Sequence, residues 1–136
     1  MIEKLIKLMK EQEKHLVQLA ELLDIQKNFI INKDVVGLEG IVDKINECSK
    51  KIAREEVARR NLLNNKSLKE VILNSDNEEL KTTYMKISDT VRNVSDRKDT
   101  NELLLKQQLV FTNKMLNIMN PDKEIKTYNS YGSLKK

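Results

Sequence analysis

The chain has 136 residues, a net charge of +4, three glycines, one proline and 4% aromatic residues. Because turn formers and strand formers are both scarce, this composition favours a single helical domain and argues against a sheet-rich fold. The single cysteine, Cys48, excludes an intramolecular disulfide, and no stretch approaches the roughly 20 apolar residues of a membrane-spanning helix, so we expect a cytoplasmic protein without membrane insertion.

The first predicted helix runs from Ile2 to Ile31. Its apolar side chains recur in alternating steps of three and four residues, a spacing typical of helices packed at shallow angles. The series consists of Ile2, Leu5, Met9, Leu16, Leu19, Leu23 and Ile30, with Gln12 and Gln26 at the two interruptions. We interpret the glutamines as residues that mark the register or reach the edge of the seam. His15 is predicted to be a surface or seam-edge residue rather than a catalytic or metal-binding one.

The second predicted helix follows a break at residues 32–34, where Asn32 or Asp34 is available as its N-cap. Cys48 falls on the apolar stripe of this helix, and we expect it to be a small core residue rather than a nucleophile. Gly37 and Gly40 weaken the first turns by about 1 kcal/mol each relative to alanine. This end of the helix is therefore expected to fray or to allow close packing.

Charged side chains replace the apolar stripe near the end of the second helix. The residues are Arg54, Glu55, Glu56, Arg59 and Arg60. One interpretation is an exposed ion pair between Glu55 and Arg59, which stand four residues apart in the favourable order. The other is a polar clamp inside the bundle. The sequence leaves both open.

Two sets of capping residues define the remaining helices. Ser67 and Glu70 form a predicted capping box that opens a short helix. Ser75 or Asp76, each with a glutamate three residues later, is predicted to cap the last helix. That helix has no breaker before Pro121, which predicts a rod of about 44 residues.

The two halves of the last helix differ in their apolar pattern. The first half has a narrow stripe made of Leu80, Tyr84, Ile87, Val91 and Val94. The pattern lapses at residues 97–100, where we expect a bend or hinge. From Asn101 to Met119, apolar side chains cover roughly 180° of the circumference. A helix of this kind must be enclosed by two neighbours or expose part of its apolar surface, and Met9, Met115 and Met119 suit either core filling or variable partners.

The chain lacks the usual residue sets of catalysis and cofactor binding. It has no second histidine, no His/Cys couple at ligand spacing and no glycine-rich phosphate loop, so we predict no enzyme, no metal site and no cofactor. Half of the net charge of +4 lies in residues 120–136, and no helical segment is strongly basic. Nucleic acid is therefore not an expected partner.

These patterns together predict an all-α fold. We expect an elongated antiparallel bundle of three long helices with one short connecting helix over residues 1–119, followed by a flexible tail over residues 120–136. The tail has too few apolar side chains to fold by itself.

Four blocks of the chain resemble the FlgN family of flagellar type III export chaperones. The first block is the long amphipathic N-terminal helix, and the second is Asp34-Val35-Val36-Gly37-Leu38 at the start of the next helix. The third is an acidic residue followed by an arginine near its end, here Glu56 and Arg59. The fourth joins Asn101-Glu102-Leu103-Leu104-Leu105 and its apolar helix to Thr127-Tyr128-Asn129-Ser130-Tyr131-Gly132. Residues 67–100 match in helical character alone.

The resemblance implies a cytoplasmic chaperone that binds hook–filament junction proteins and delivers them to the export gate. It implies client binding by helix augmentation. The expected client-binding residues are Leu105, Leu109, Leu116 and Met119. Tyr128 is the expected docking residue for the export gate, although the additional Tyr131 leaves open which tyrosine matters.

Two other functions compete with this interpretation. In the first, the protein is a structural helical adaptor or self-associating coiled coil, and the apolar arc of residues 101–119 is the seam of a weak homo-oligomer. In the second, the basic tail binds nucleic acid or a membrane surface weakly.

Overall fold

The computed structural model describes residues 1–120, 127–128 and 134–135, and its regular elements are four helices and one short strand pair. The elements are α1 (Ile2–Ile31), α2 (Val35–Leu62), α3 (Leu68–Leu73), α4 (Glu78–Met119), β1 (Thr127–Tyr128) and β2 (Leu134–Lys135). The predicted all-α class, with three long helices and one short connecting helix, is confirmed. None of the helices in the described residues combines the length and apolar character needed to cross a bilayer.

The chain divides into two compact units, Met1–Asn101 and Glu102–Lys136. The boundary falls within α4. The first unit holds the bundle of α1, α2, α3 and the N-terminal part of α4. The second holds the C-terminal part of α4 and the antiparallel pair of β1 and β2.

A tight turn of three residues joins α1 to α2. Lys33 adopts a left-handed backbone with φ of 57°, and the Asp34 amide donates to the Phe29 carbonyl at 2.9 Å, which is the hydrogen bond of a Schellman motif. Asp34 is also the N-cap of α2, because its Oδ1 accepts from the Gly37 amide at 2.9 Å. Of the two predicted caps, Asp34 is therefore the one used.

Helix α2 ends at Leu62 and is followed by a turn with left-handed backbone, which is formed by two asparagines. Asn64 and Asn65 have φ angles of 52° and 64°, and the Asn65 amide donates to the Arg60 carbonyl at 3.0 Å. Asparagine tolerates this left-handed region better than most residues. Ser67 then stands at the N-cap of α3, but its side chain forms no capping hydrogen bond within the described residues. The predicted capping box is wrong in this respect.

Asn77 rather than Ser75 or Asp76 caps α4. Its Oδ1 accepts from the Leu80 amide at 3.0 Å, and Ser75 Oγ in turn accepts from the Asn77 amide at 3.1 Å. Asn77 does not fit the capping-box pattern, because a leucine rather than a glutamate stands three residues after it.

The three long helices alternate in direction within the first unit. Contacts of Gln12 with Ile52 and of His15 with Cys48 show that α1 and α2 are antiparallel. Contacts of Lys10 with Glu79 and of Asp24 with Arg97 show that α4 runs parallel to α1.

One apolar cluster forms the core of the first unit. It contains Leu5, Ile6, Met9, Leu16, Leu63, Ile72, Leu80 and Ile87. Burying a leucine or isoleucine contributes about 1.5–3 kcal/mol, so these residues account for much of the stability of the bundle. Met9 is fully buried, which identifies it as core filling. Val91 is 48% exposed and does not join the predicted stripe, whereas Thr83 and Thr90 are buried on the same helix.

Helix α4 continues without interruption through residues 97–100, where the sequence suggested a bend or hinge. The apolar pattern lapses there because the contacts with α1 become polar. Arg97 Nε lies 3.3 Å from Asp24 Oδ1, and Asn101 hydrogen-bonds α1. Helix α4 ends at Met119, two residues before Pro121, in agreement with the predicted stop.

Candidate functional site

The C-terminal part of α4 exposes its apolar side chains. Nine large apolar residues between positions 103 and 119 are at least 41% exposed. They are Leu103, Leu105, Leu109, Val110, Phe111, Met115, Leu116, Ile118 and Met119. Soluble monomers rarely expose contiguous apolar surface of this kind unless it binds another molecule. We refer to residues 103–119 as the apolar segment.

The four predicted client-binding residues lie on one side of the apolar segment. At 100° per residue they fall within a sector of about 80°, and they occupy four successive levels of the helix. Leu105 is 41% exposed, Leu109 57%, Leu116 61% and Met119 72%. Each side chain is therefore available to a partner.

A polar clamp joins α1 to α2 in the first unit. Arg59 donates from Nε to Glu56 Oε1 at 2.9 Å and forms a second, shorter bond to Glu56 Oε2. Arg60 Nε donates to the same Oε2 at 3.2 Å, and Gln12 of α1 donates to Glu56 Oε1 at 3.3 Å and to the Ile52 carbonyl at 3.5 Å. The hydrogen bond from Arg59 is the main cause that lowers the pKa of Glu56.

The clamp decides between the two interpretations of the charged end of α2. The expected pair of Glu55 with Arg59 does not form, because Arg59 binds Glu56 and Glu55 binds His15. The alternative of a polar clamp within the bundle is the arrangement found. Gln12 is 6% exposed, so it is a buried link between helices rather than a residue at the edge of the seam.

The clamp borders a groove of about 740 Å³ between the helices of the first unit. Its lining is mainly apolar and includes Leu16, Ile52, Ala53, Leu68, Tyr84, Ile87 and Val91. Glu56, Arg59 and Arg92 supply its charged groups.

Asn101 forms a second polar contact between helices, in which α4 binds α1 at the end of the first unit. Its Nδ2 donates to the Leu23 carbonyl at 2.8 Å and to Gln26 Oε1 at 2.9 Å, and the residue is 3% exposed. Gln26 therefore receives a hydrogen bond from α4, just as Gln12 donates one to α2. Both interruptions of the apolar series in α1 are places where another helix is bound by polar groups.

His15 contacts α2 at half-buried positions. Its Nδ1 lies 2.7 Å from Glu55 Oε2, and the two side chains are 18% and 15% exposed. Cys48 is buried and donates from Sγ to the His15 carbonyl at 3.2 Å. Burial raises the pKa of the Cys48 thiol, which disfavours the reactive thiolate and agrees with the predicted core role.

Comparison with known proteins identifies the family. The model of the family described as FlgN protein matches residues 1–136, the whole chain. The chain belongs to the FlgN family. FlgN is a chaperone family that is not known as enzymatic, and membership supports a role in flagellar export. Searches of curated proteins and of solved structures found no match.

The residues that resemble FlgN occupy defined positions in the first unit. Asp34 caps α2, Glu56 and Arg59 form the clamp, and Asn101 is buried against α1. These residues explain part of the FlgN pattern as helix capping and interhelical hydrogen bonding. The buried position of Asn101 was not predicted from the sequence, although the lapse of the apolar pattern just before it was a signal of polar packing.

The C-terminal blocks of the FlgN pattern are described only in part. The backbone of Tyr128 belongs to β1 and pairs with Leu134 of β2. Its side chain, like Tyr131 and Pro121, lies outside the described residues. The predicted docking role of Tyr128 and the predicted flexibility of residues 120–136 therefore stay predictions.

Proposed function

We propose that this FlgN-family chain is a cytoplasmic type III flagellar export chaperone for hook–filament junction proteins. It binds the client through the apolar segment and delivers it to the export gate. The observation that carries the proposal is the exposure of apolar side chains around residues 103–119. A protein that leaves this surface uncovered gains most from a partner that supplies the missing apolar contacts.

The proposed mechanism is helix augmentation. An amphipathic helix of the client would lie along the sector of Leu105, Leu109, Leu116 and Met119, so that each protein completes the other's packing. Burial of a leucine contributes about 1.5–3 kcal/mol, so reaching a micromolar affinity after the cost of association requires the whole sector together with the client side chains that pack against it. While bound, the client helix cannot associate prematurely with other subunits.

The first unit supports this role as a scaffold. Its buried core, the clamp and the contact of Asn101 with Leu23 hold the helices together up to the boundary at residue 101. The N-terminal part of α4 is thereby anchored, and the same helix continues into the apolar segment. Tyr128 is the proposed contact with the export gate, since an aromatic side chain with a polar tip suits a recognition site.

Truncation after Asn101 tests the proposal. The expected result is that residues 1–101 keep a cooperative unfolding transition, because their core lies within the first unit, but no longer bind the C-terminal helix of a junction protein. The measurement is titration calorimetry with that helix as a peptide, together with circular dichroism of the truncated chain. Unchanged affinity of a folded 1–101 fragment would refute the proposal.

Solution mass separates the chaperone from the homo-oligomeric adaptor. The adaptor function predicts a stable dimer that dissociates in Leu109→Asp and binds no junction protein. The chaperone function predicts that the mass of a one-to-one complex replaces that of the free chain when the client is added.

A further inference from the structure

Three side chains of α1 and α2 converge on one point of the first unit. Glu11 and His15 stand one turn apart on α1, and Glu55 reaches them from the antiparallel α2. One ligand atom of each residue lies within 4.8 Å of the other two. From this geometry we propose that Glu11, His15 and Glu55 bind a borderline divalent cation, of which Zn²⁺ is the best match, and that the ion links α1 to α2.

The donor set favours this class of ion. An imidazole nitrogen suits first-row transition cations, and two carboxylates suit any divalent cation, so the combination selects Zn²⁺ over Mg²⁺ or Ca²⁺. Two carboxylates with a neutral imidazole also carry a charge that a divalent cation neutralises. Three protein ligands leave a fourth tetrahedral position for water.

Glu55 has an unsatisfied group at this site. Its Oε1 is buried and has no hydrogen-bond partner, although Oε2 contacts His15 Nδ1 at 2.7 Å. No lysine or arginine in the described part of the chain forms an ion pair with Glu11 or Glu55. A buried carboxylate oxygen without a hydrogen-bond partner is unfavourable, and a cation bound to Glu55 Oε1 would remove that cost.

Little movement is needed to load the site. Ligand atoms on one Zn²⁺ ion lie about 2.0–2.2 Å from the metal and therefore about 3.4 Å from one another. The contact of His15 with Glu55 must open slightly, and Glu11, which is exposed, must rotate inward.

No metal site was predicted from the sequence, because the three ligands do not all lie close together in the chain. His15 has no second histidine or cysteine nearby, and Glu55 is brought to it only by the antiparallel packing of α1 and α2. The proposed site is independent of client binding, since all three ligands belong to the first unit.

Calorimetric titration of ZnCl₂ into the tag-free full-length chain tests the proposal. The expected result is one ion bound per chain, with loss of binding in His15→Ala. Loss of an outer-shell partner of a metal site typically weakens metal binding by roughly 10–100-fold. Glu11→Gln and Glu55→Gln remove direct ligands, so each should weaken Zn²⁺ binding by at least that factor. Glu11→Gln alters an exposed side chain, so it remains informative if a substitution at Glu55 impairs folding.

Two controls make the outcome decisive. Cys48→Ala should keep the affinity of the wild type, which excludes capture of Zn²⁺ by the thiol. Excess Mg²⁺ should not compete, and Zn²⁺ should raise the thermal midpoint of the wild type but not that of His15→Ala. Absence of binding at concentrations on the order of 1 mM, or an affinity that His15→Ala leaves unchanged, would overturn the proposal. Equal binding of Mg²⁺ would overturn the choice of ion.

Discussion

The side-chain amide of Asn101 donates a hydrogen bond of 2.8 Å to the backbone carbonyl of Leu23. Asn101 is the last residue of the first unit, and it is 3% exposed. Its Oδ1 is buried without a hydrogen-bond partner, so the hydrogen bonds of the side chain are the two that Nδ2 donates. This contact fixes α4 to α1 immediately before the apolar segment begins.

We predict that Asn101→Ala lowers the free energy of unfolding of the first unit by about 1–2 kcal/mol. The substitution removes both donated hydrogen bonds and leaves Gln26 Oε1 without the partner it has in the wild type. Urea unfolding followed by circular dichroism measures the change. Asn93→Ala is the matched control, because Asn93 is exposed on the same helix and should change the free energy by less than about 0.5 kcal/mol. Equal effects of the two substitutions would contradict the importance of the buried contact.

The two glycines of α2 should respond differently to alanine. A Cβ atom at Gly37 would lie 2.7 Å from the ring of Phe29 and 2.8 Å from Asp34 Oδ2, whereas a Cβ atom at Gly40 would meet nothing within 4 Å. Gly40→Ala should therefore stabilise the chain by about 0.5–1 kcal/mol through helix propensity. Gly37→Ala should not stabilise the chain, because the Phe29 ring or the capping carboxylate of Asp34 must move to make room for the Cβ atom.

Urea unfolding of both glycine variants against the wild type provides the measurement. The order of stability we expect is Gly40→Ala above the wild type, and Gly37→Ala at or below it. A Gly37→Ala chain as stable as Gly40→Ala would show that Phe29 and Asp34 yield without cost.

We predict that Glu56 makes the free energy of unfolding depend on pH in the acidic range. Its pKa is lowered in the folded chain from the ordinary value of 4.5, chiefly by the hydrogen bond from Arg59. The carboxylate therefore stabilises the folded chain above about pH 4.5, and this contribution is lost as the pH falls through the lowered pKa. Glu56→Gln should cost about 1 kcal/mol at neutral pH, and the difference from the wild type should shrink below pH 4.5.

Chemical denaturation across acidic and neutral pH measures this difference. Glu79→Gln is the control, because Glu79 is exposed, lies 3.4 Å from Lys10 and should contribute less than about 0.5 kcal/mol. If the difference between Glu56→Gln and the wild type were constant with pH, the clamp would not be the source of the lowered pKa.

Tyr128→Ala is predicted to spare client binding and to impair export. The reason is the division of roles in the proposed function, in which the apolar segment holds the client and Tyr128 contacts the export gate. Secretion of junction proteins and affinity for a client peptide are the two measurements. Tyr131→Ala is the matched control for the neighbouring tyrosine of the same block. Equal loss of binding and export in Tyr128→Ala would place the tyrosine in the client site instead.

The periodicity of the sequence predicted the helices well because their apolar contacts repeat regularly. The bounds of α1 and the core positions of Leu5, Leu16 and Cys48 follow from local patterns. Val91 was predicted wrongly, since the angular position of a residue does not say how far a neighbouring helix extends around it.

The polar contacts could not be predicted because they depend on pairs of residues distant in sequence. Gln12 with Glu56 and His15 with Glu55 join α1 to α2, and Asn101 with Leu23 joins α4 to α1. Each side chain by itself is also compatible with an exposed position. The exposed state of the apolar segment was one of two outcomes that the sequence allowed, and the structure decided between them.

The central claim is that the apolar segment binds the client, and the most direct test is the affinity of Leu109→Asp for the C-terminal helix of a junction protein. The control is Leu73→Asp, because Leu73 is 73% exposed in α3 and outside the segment. We predict that Leu109→Asp weakens binding roughly tenfold or more, while Leu73→Asp leaves it unchanged. Equal affinities of the two variants for the client would contradict the claim.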